Sequence, residues 1–62
     1  MRTKIKYADP ETTNGFRFAF VNYKLQDAKV LAESERFLDV TLGNGKAVVV
    51  ATSRIIDMRE VN

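Results

Sequence analysis

The chain has 62 residues, enough for a single small domain over residues 1–62. It holds no cysteine and no histidine, which excludes disulfides and thiolate or imidazole metal sites, and no acidic run has the spacing of a calcium loop, so no metal and no cofactor are expected. Ten basic residues against eight acidic ones, well mixed, leave a net charge of +2 that permits a polyanionic partner without signalling one.

Thr3-Lys4-Ile5-Lys6-Tyr7 alternates polar and apolar residues, which sets Ile5 and Tyr7 on one face of a strand. Asp9 to Gly15 is turn chemistry: Pro10 fixes φ, and Asn14-Gly15 readily takes positive φ. Phe16 to Leu25 reads as a long strand with a change of phase. Phe16, Phe18 and Phe20 share one face; Ala19, Val21, Tyr23 and Leu25 share the other. A strongly bent strand would use both sets.

Asp27 to Arg36 admits two readings. Ala28, Val30 and Ala32 alternate as in a strand, which we prefer. The alternative is a short helix over 27–36, built from good helix formers and capped by Asp27. Next, Leu38, Val40 and Leu42 face inward, while Phe37, Asp39 and Thr41 face out. Gly43-Asn44-Gly45 is a hairpin turn. In the strand Lys46 to Thr52, Val48 and Val50 take one face, and Ala47, Val49 and Ala51 the other. Thr52-Ser53-Arg54 is a bend or one 3₁₀ turn. Ile55 to Val61 closes the chain, with Ile56 and Met58 on one face and Ile55, Asp57, Arg59 and Val61 on the other. These segments predict an all-β fold, a small five-stranded SH3-like or Sm-like barrel. The alternative is an α+β arrangement, ββαββ, with the helix across one sheet.

Catalysis has little to work with, since the usual general base and the strongest nucleophile are absent, and no enzyme is expected. Asp39 and Asp57 read as surface aspartates, and Ser53 beside Arg54 has no local base. Basic Lys4, Lys6, Arg17 and Lys24 interleave with Tyr7, Phe16, Phe18 and Tyr23, a mixture suited to phosphate contacts and base stacking. The plainer alternative puts the aromatics in the core and the cations on solvated strand faces. Arg36 and Arg54 complete the cationic candidates; Phe37 and Tyr23 are those for a protein-interaction surface.

From Phe18 to Val61, about two-thirds of the chain, the sequence resembles the Sm-like family of small bent barrels that includes Hfq. Val21 to Gln26 is similar to the segment that leads to that family's second strand. Val30 to Leu42 resembles its first motif, and Val48 to Met58 its second, a strand, tight bend and closing strand. The chain departs from the pattern at several points. Asp27-Ala28 replace a glycine, Ser34-Glu35-Arg36-Phe37 stand for an Asp-x-x-Asn-like RNA loop, and Ser53-Arg54 replace Arg-Gly. The family's N-terminal helix is missing, because Thr3 to Tyr7 reads as a strand. The resemblance implies a ring or dimer that binds RNA, with Ser34, Arg36, Phe37 and Arg54 nearest the matching loops.

A chain this short buries only roughly 60% of its unfolded surface, and domains of its size often lean on self-association. Ala47 to Ala51 is apolar on both faces, so a homo-oligomer is expected. Val49 with Ile55, Met58 and Val61 of the closing strand would form the contact. No signal peptide, membrane span or small-molecule substrate is evident, and a cytoplasmic location is the default.

Overall fold

A computed structural model describes residues 2–61 as one antiparallel sheet of five strands with a short helix packed on it. The elements are β1 (Arg2–Ala8), β2 (Phe16–Val21), α1 (Leu25–Ser34), β3 (Phe37–Leu42), β4 (Ala47–Ala51) and β5 (Ile55–Val61). A 3₁₀ turn, Thr52–Arg54, joins β4 to β5. The strand order is β4-β3-β2-β1-β5, so the chain returns to lay β5 beside β1 and leaves β4 and β5 as the edges. The mostly-β class is as expected, and the arrangement is consistent with a small SH3-like or Sm-like fold.

Alternation decides the two faces of the sheet. Thr3, Ile5 and Tyr7 of β1 meet Ala19 and Val21 of β2, Leu38, Val40 and Leu42 of β3, and Val50 of β4 in one buried layer. Ile5 sits at its centre, opposite Ala19 on one side and Met58 on the other. Small Ala19 leaves room for the branched side chain. Burying one such residue contributes about 1.5–3 kcal/mol. Thr3 is fully buried too, and its hydroxyl donates to the Tyr23 carbonyl at 2.8 Å, so no polar atom is stranded there.

The preferred strand reading of Asp27 to Arg36 is corrected: the segment is helical from Leu25 to Ser34. A strand would bury Ala28, Val30 and Ala32. The helix instead turns Leu25, Ala28, Leu31 and Ala32 toward the sheet and leaves Val30 exposed. Both periods fit the sequence, and packing against β1, β3 and β5 selects the helical one. Asp27 lies in the first turn rather than at the cap, where its charge still favours the positive end of the helix. Leu25 N–H instead reaches Glu60 Oε1 at 3.4 Å, and the cap position is Lys24.

Two other expectations change for related reasons. β2 stops at Val21, so Tyr23 and Leu25 belong to the bend and the helix and no phase change within a strand is needed. In β5, the register with β1 shifts from Lys6↔Asp57 to Tyr7↔Ile55. The bulge expels Ile56 to solvent and lets both Ile55 and Met58 pack on the core, where plain alternation would separate them. The hairpin at Gly43-Asn44-Gly45 forms as expected: Gly45 takes φ +88°, Gly45 N–H donates to Leu42 O at 2.9 Å, and Asn44 Oδ1 accepts from Lys46 N–H at 3.0 Å. Gly15 likewise takes φ +83° at the end of the first loop.

Candidate nucleic-acid interface

The alternation that buries Thr3, Ile5 and Tyr7 turns Arg2, Lys4 and Lys6 to the opposite, outer face of the sheet. On β2, Ala19 and Val21 go inward, and Phe16, Phe18 and Phe20 therefore stand outward. The three aromatics do not fill the core; of the aromatics named from sequence, Tyr7 does. Because β1 and β2 are neighbours, cations and rings interleave on one surface. Arg2 Cζ lies 4.4 Å from the Phe20 ring centroid, Lys4 Nζ 4.3 Å from Phe18, and Lys6 Nζ 4.2 Å from Phe16. Phe16 and Phe18 also meet edge to face, with centroids 5.4 Å apart.

β5 extends this surface. Lys4 stands opposite Arg59 in the ladder, and Lys6 opposite Asp57. Like charges directly across a ladder are destabilising, so the Lys4–Arg59 juxtaposition is a cost that the sheet does not need for its own stability. Asp57 offsets part of it by accepting from Arg59 Nε at 3.2 Å. Lys4, Lys6, Phe18, Asp57 and Arg59 line a shallow groove of ≈ 440 Å³. Phe18, 42% exposed, is the ring that opens into it; Phe16 and Phe20 are half-buried.

On the outer face of β1 and β5 cations outnumber carboxylates, although charge is mixed along the chain. Arg2, Lys4, Lys6 and Arg59 share the outer face of β1 and β5 with one carboxylate, Asp57. Asp9 and Glu11 lie in the first loop, Asp27 and Glu33 on α1, Glu35 at its C-cap, and Glu60 points toward Leu25. Of the cations named from sequence, Lys4 and Lys6 are brought together. Arg17 points from the other side of β2 and pairs with Asp9 at 3.2 Å, and Lys24 stands at the start of α1. Arg36 and Phe37 stand at a separate corner: Thr52 N–H donates to the Arg36 carbonyl at 2.9 Å, and Phe37 pairs with Ala51 at the end of β4. The Thr52 hydroxyl reinforces that corner, donating to Glu35 O at 2.7 Å. Arg54 instead lines a second groove with Arg17, Asp9 and Glu11.

Sequence reasoning missed Arg2, Phe20, Asp57 and Arg59. The signal for Arg2 and Phe20 was present, since each continues an alternating run already noted. Asp57 and Arg59 join the surface through β1–β5 pairing, which joins residues more than fifty positions apart. Among the expected contact residues, Val49 is exposed at 64% on edge strand β4 and Val61 is half-buried on edge strand β5. Ile55 and Met58 pack on the core.

Among the described residues no group of carboxylates is arranged to hold a metal ion, and no helix is long and apolar enough to cross a membrane. The chain matches no family model, no curated protein and no solved structure.

Proposed function

We propose that this chain is a non-enzymatic module that binds RNA or DNA on the outer face of β1, β2 and β5 and acts as a homo-oligomer. The observation that carries the proposal is the row Arg2–Phe20, Lys4–Phe18, Lys6–Phe16, three cations each held 4.2–4.4 Å over an outward ring. In the free protein each pair covers apolar surface and keeps the ring upright. A nucleic acid offers each partner something better. An exposed cation–ring contact contributes about 0.5–1 kcal/mol, whereas a base stacked on an aromatic ring contributes about 1–3 kcal/mol. The freed ammonium, on its flexible stem, then meets a phosphate. The Lys4–Arg59 repulsion would also be relieved by an anion.

Binding is tested by fluorescence anisotropy with labelled mixed-sequence RNA and DNA at low and moderate salt. Three or four phosphate contacts on a single strand give a slope of log affinity against log salt of roughly −2 to −3. The Sm-like resemblance would seat RNA nearest Ser34, Arg36, Phe37 and Arg54 instead. Substituting Lys4 and Lys6 in one variant, and Arg36, Phe37 and Arg54 in another, tells the two seats apart. Absence of binding at low salt would overturn the nucleic-acid function.

That outcome would leave a protein-interaction module, which the outer surface of β3 and β4 supports. Phe37, 62% exposed, lies diagonally beside Val49 there, since Phe37 pairs with Ala51 and Asp39 with Val49. For self-association the supporting feature is the β4 edge itself. Ala47 to Ala51 carries no charge, proline or bulge to deter pairing, whereas the β5 edge has a bulge and Asp57, Arg59 and Glu60. With Ile55 and Met58 drawn into the core, the contact reduces to Val49 with either a second β4 or the outer part of β5 near Val61.

A further inference from the structure

A surface meant only for phosphates has no use for a carboxylate, yet Asp57 lines the β5 side of the cation-lined groove. It faces Lys6 across the ladder and is fixed by Arg59 Nε at 3.2 Å. That bond occupies one lone pair of Oδ2 and leaves Oδ1 free to accept from a ligand. The same groove is walled by Phe18, the most exposed of the three outward phenylalanines. Its ≈ 440 Å³ falls within the roughly 300–1,000 Å³ of small-ligand sites.

We infer that this groove seats one unpaired base bearing an exocyclic amino group, guanine foremost, within a single-stranded segment; the inference rests on the nucleic-acid function proposed for this face. The base lies against Phe18 while Lys4 and Lys6 take the flanking phosphates. Asp57 reads the Watson–Crick edge. Guanine presents adjacent N1–H and N2–H donors to the carboxylate, and cytosine and adenine each present one amino donor. Uracil and thymine place a carbonyl oxygen on either side of their single N–H, and those oxygens repel Asp57. A base within a duplex has both its faces stacked and its pairing edge occupied, so it reaches neither Phe18 nor Asp57. Arg59 is a positioning residue that holds the carboxylate in the groove.

The probes are labelled oligouridine octamers, either uniform or with one central guanosine, cytidine or adenosine, and a duplex of the same length. Anisotropy at one fixed salt concentration compares them on the wild-type chain, Asp57→Asn and Phe18→Leu, with folding checked by circular dichroism. The guanosine octamer is expected to bind about tenfold tighter than uniform oligouridine. Asp57→Asn removes that preference without weakening oligouridine, since it deletes a negative charge. Phe18→Leu keeps an apolar side chain and weakens every single strand about tenfold while leaving the duplex unchanged. A guanosine preference that survives Asp57→Asn, or no preference in the wild type, overturns the base assignment. Duplex binding as tight as that of the single strands overturns the single-strand seat while the nucleic-acid function stands. Failure of every probe to bind at low salt removes the function and the inference together.

Discussion

Lys4 pairs with Phe20 across the β1–β2 ladder, yet its ammonium lies over the ring of Phe18, 4.3 Å from the centroid. Lys6 behaves the same way, opposite Phe18 but over Phe16. The right-handed twist of the sheet brings such diagonal neighbours within reach of long side chains. Every cation of β1 is therefore displaced by one step in the same direction, and the row stays in phase along the strand. A surface with this regularity presents repeated cation–ring units at the two-residue spacing of a strand, roughly 6.6 Å.

Replacing Lys4 and Lys6 together by glutamine separates binding from stability. Each lost cation–ring contact costs about 0.5–1 kcal/mol at most, and removing Lys4 relieves its repulsion with Arg59, so urea denaturation should move little. Nucleic-acid affinity should fall steeply, with a salt slope shallower by about 1.4, the share of two phosphate contacts on a single strand. A stability loss with unchanged affinity would mean that the cations serve only to cover the rings.

Thr3 is a structural residue in the middle of a cationic strand. Its hydroxyl is fully buried and donates to the Tyr23 carbonyl at 2.8 Å, tying β1 to the bend that leads into α1. Thr3→Val keeps the shape and removes that bond, at a cost of about 0.5–1.5 kcal/mol. Denaturant midpoints measure it, and amide exchange around residues 22–25 should speed up.

The free edge of β4 makes self-association testable by one charge. Val49→Lys places an ammonium on the outer face of that edge, a device that blocks strand pairing between copies. Sedimentation at micromolar concentration should show an oligomer for the wild type and a 7.0 kDa monomer for the variant. A wild-type chain that sediments as a monomer at every concentration would end the oligomer proposal and any ring with it.

The hairpin glycines should differ although they sit two residues apart. Gly45 has φ +88° with nothing within 4 Å of an added Cβ, so Gly45→Ala costs about 1 kcal/mol through the backbone alone. Gly43 has equal space and no positive φ, so Gly43→Ala should be nearly neutral. Thermal midpoints of the two variants give the comparison.

The sequence by itself determined what is local. Alternation grouped Ile5 with Tyr7 and Val48 with Val50 on one face of their strands and turned Leu38, Val40 and Leu42 inward, because neighbouring side chains on a strand point to opposite faces whatever the strand packs against. Turn chemistry placed the hairpin at residues 43–45 and the bend at 52–54 for the same reason. Three things waited for the tertiary structure. Residues 25–34 fit two periods, and only the surface offered by β1, β3 and β5 favours Ala28 with Leu31 over Ala28 with Val30. The bulge at Ile56 exists because β5 must pair with β1 and also bury both Ile55 and Met58. The candidate site depends on the strand order β2-β1-β5, which sets Phe20, Lys4 and Arg59 in one row and Phe18, Lys6 and Asp57 in the next. No period along the chain encodes that adjacency, since it comes from hydrogen bonding between segments far apart in sequence.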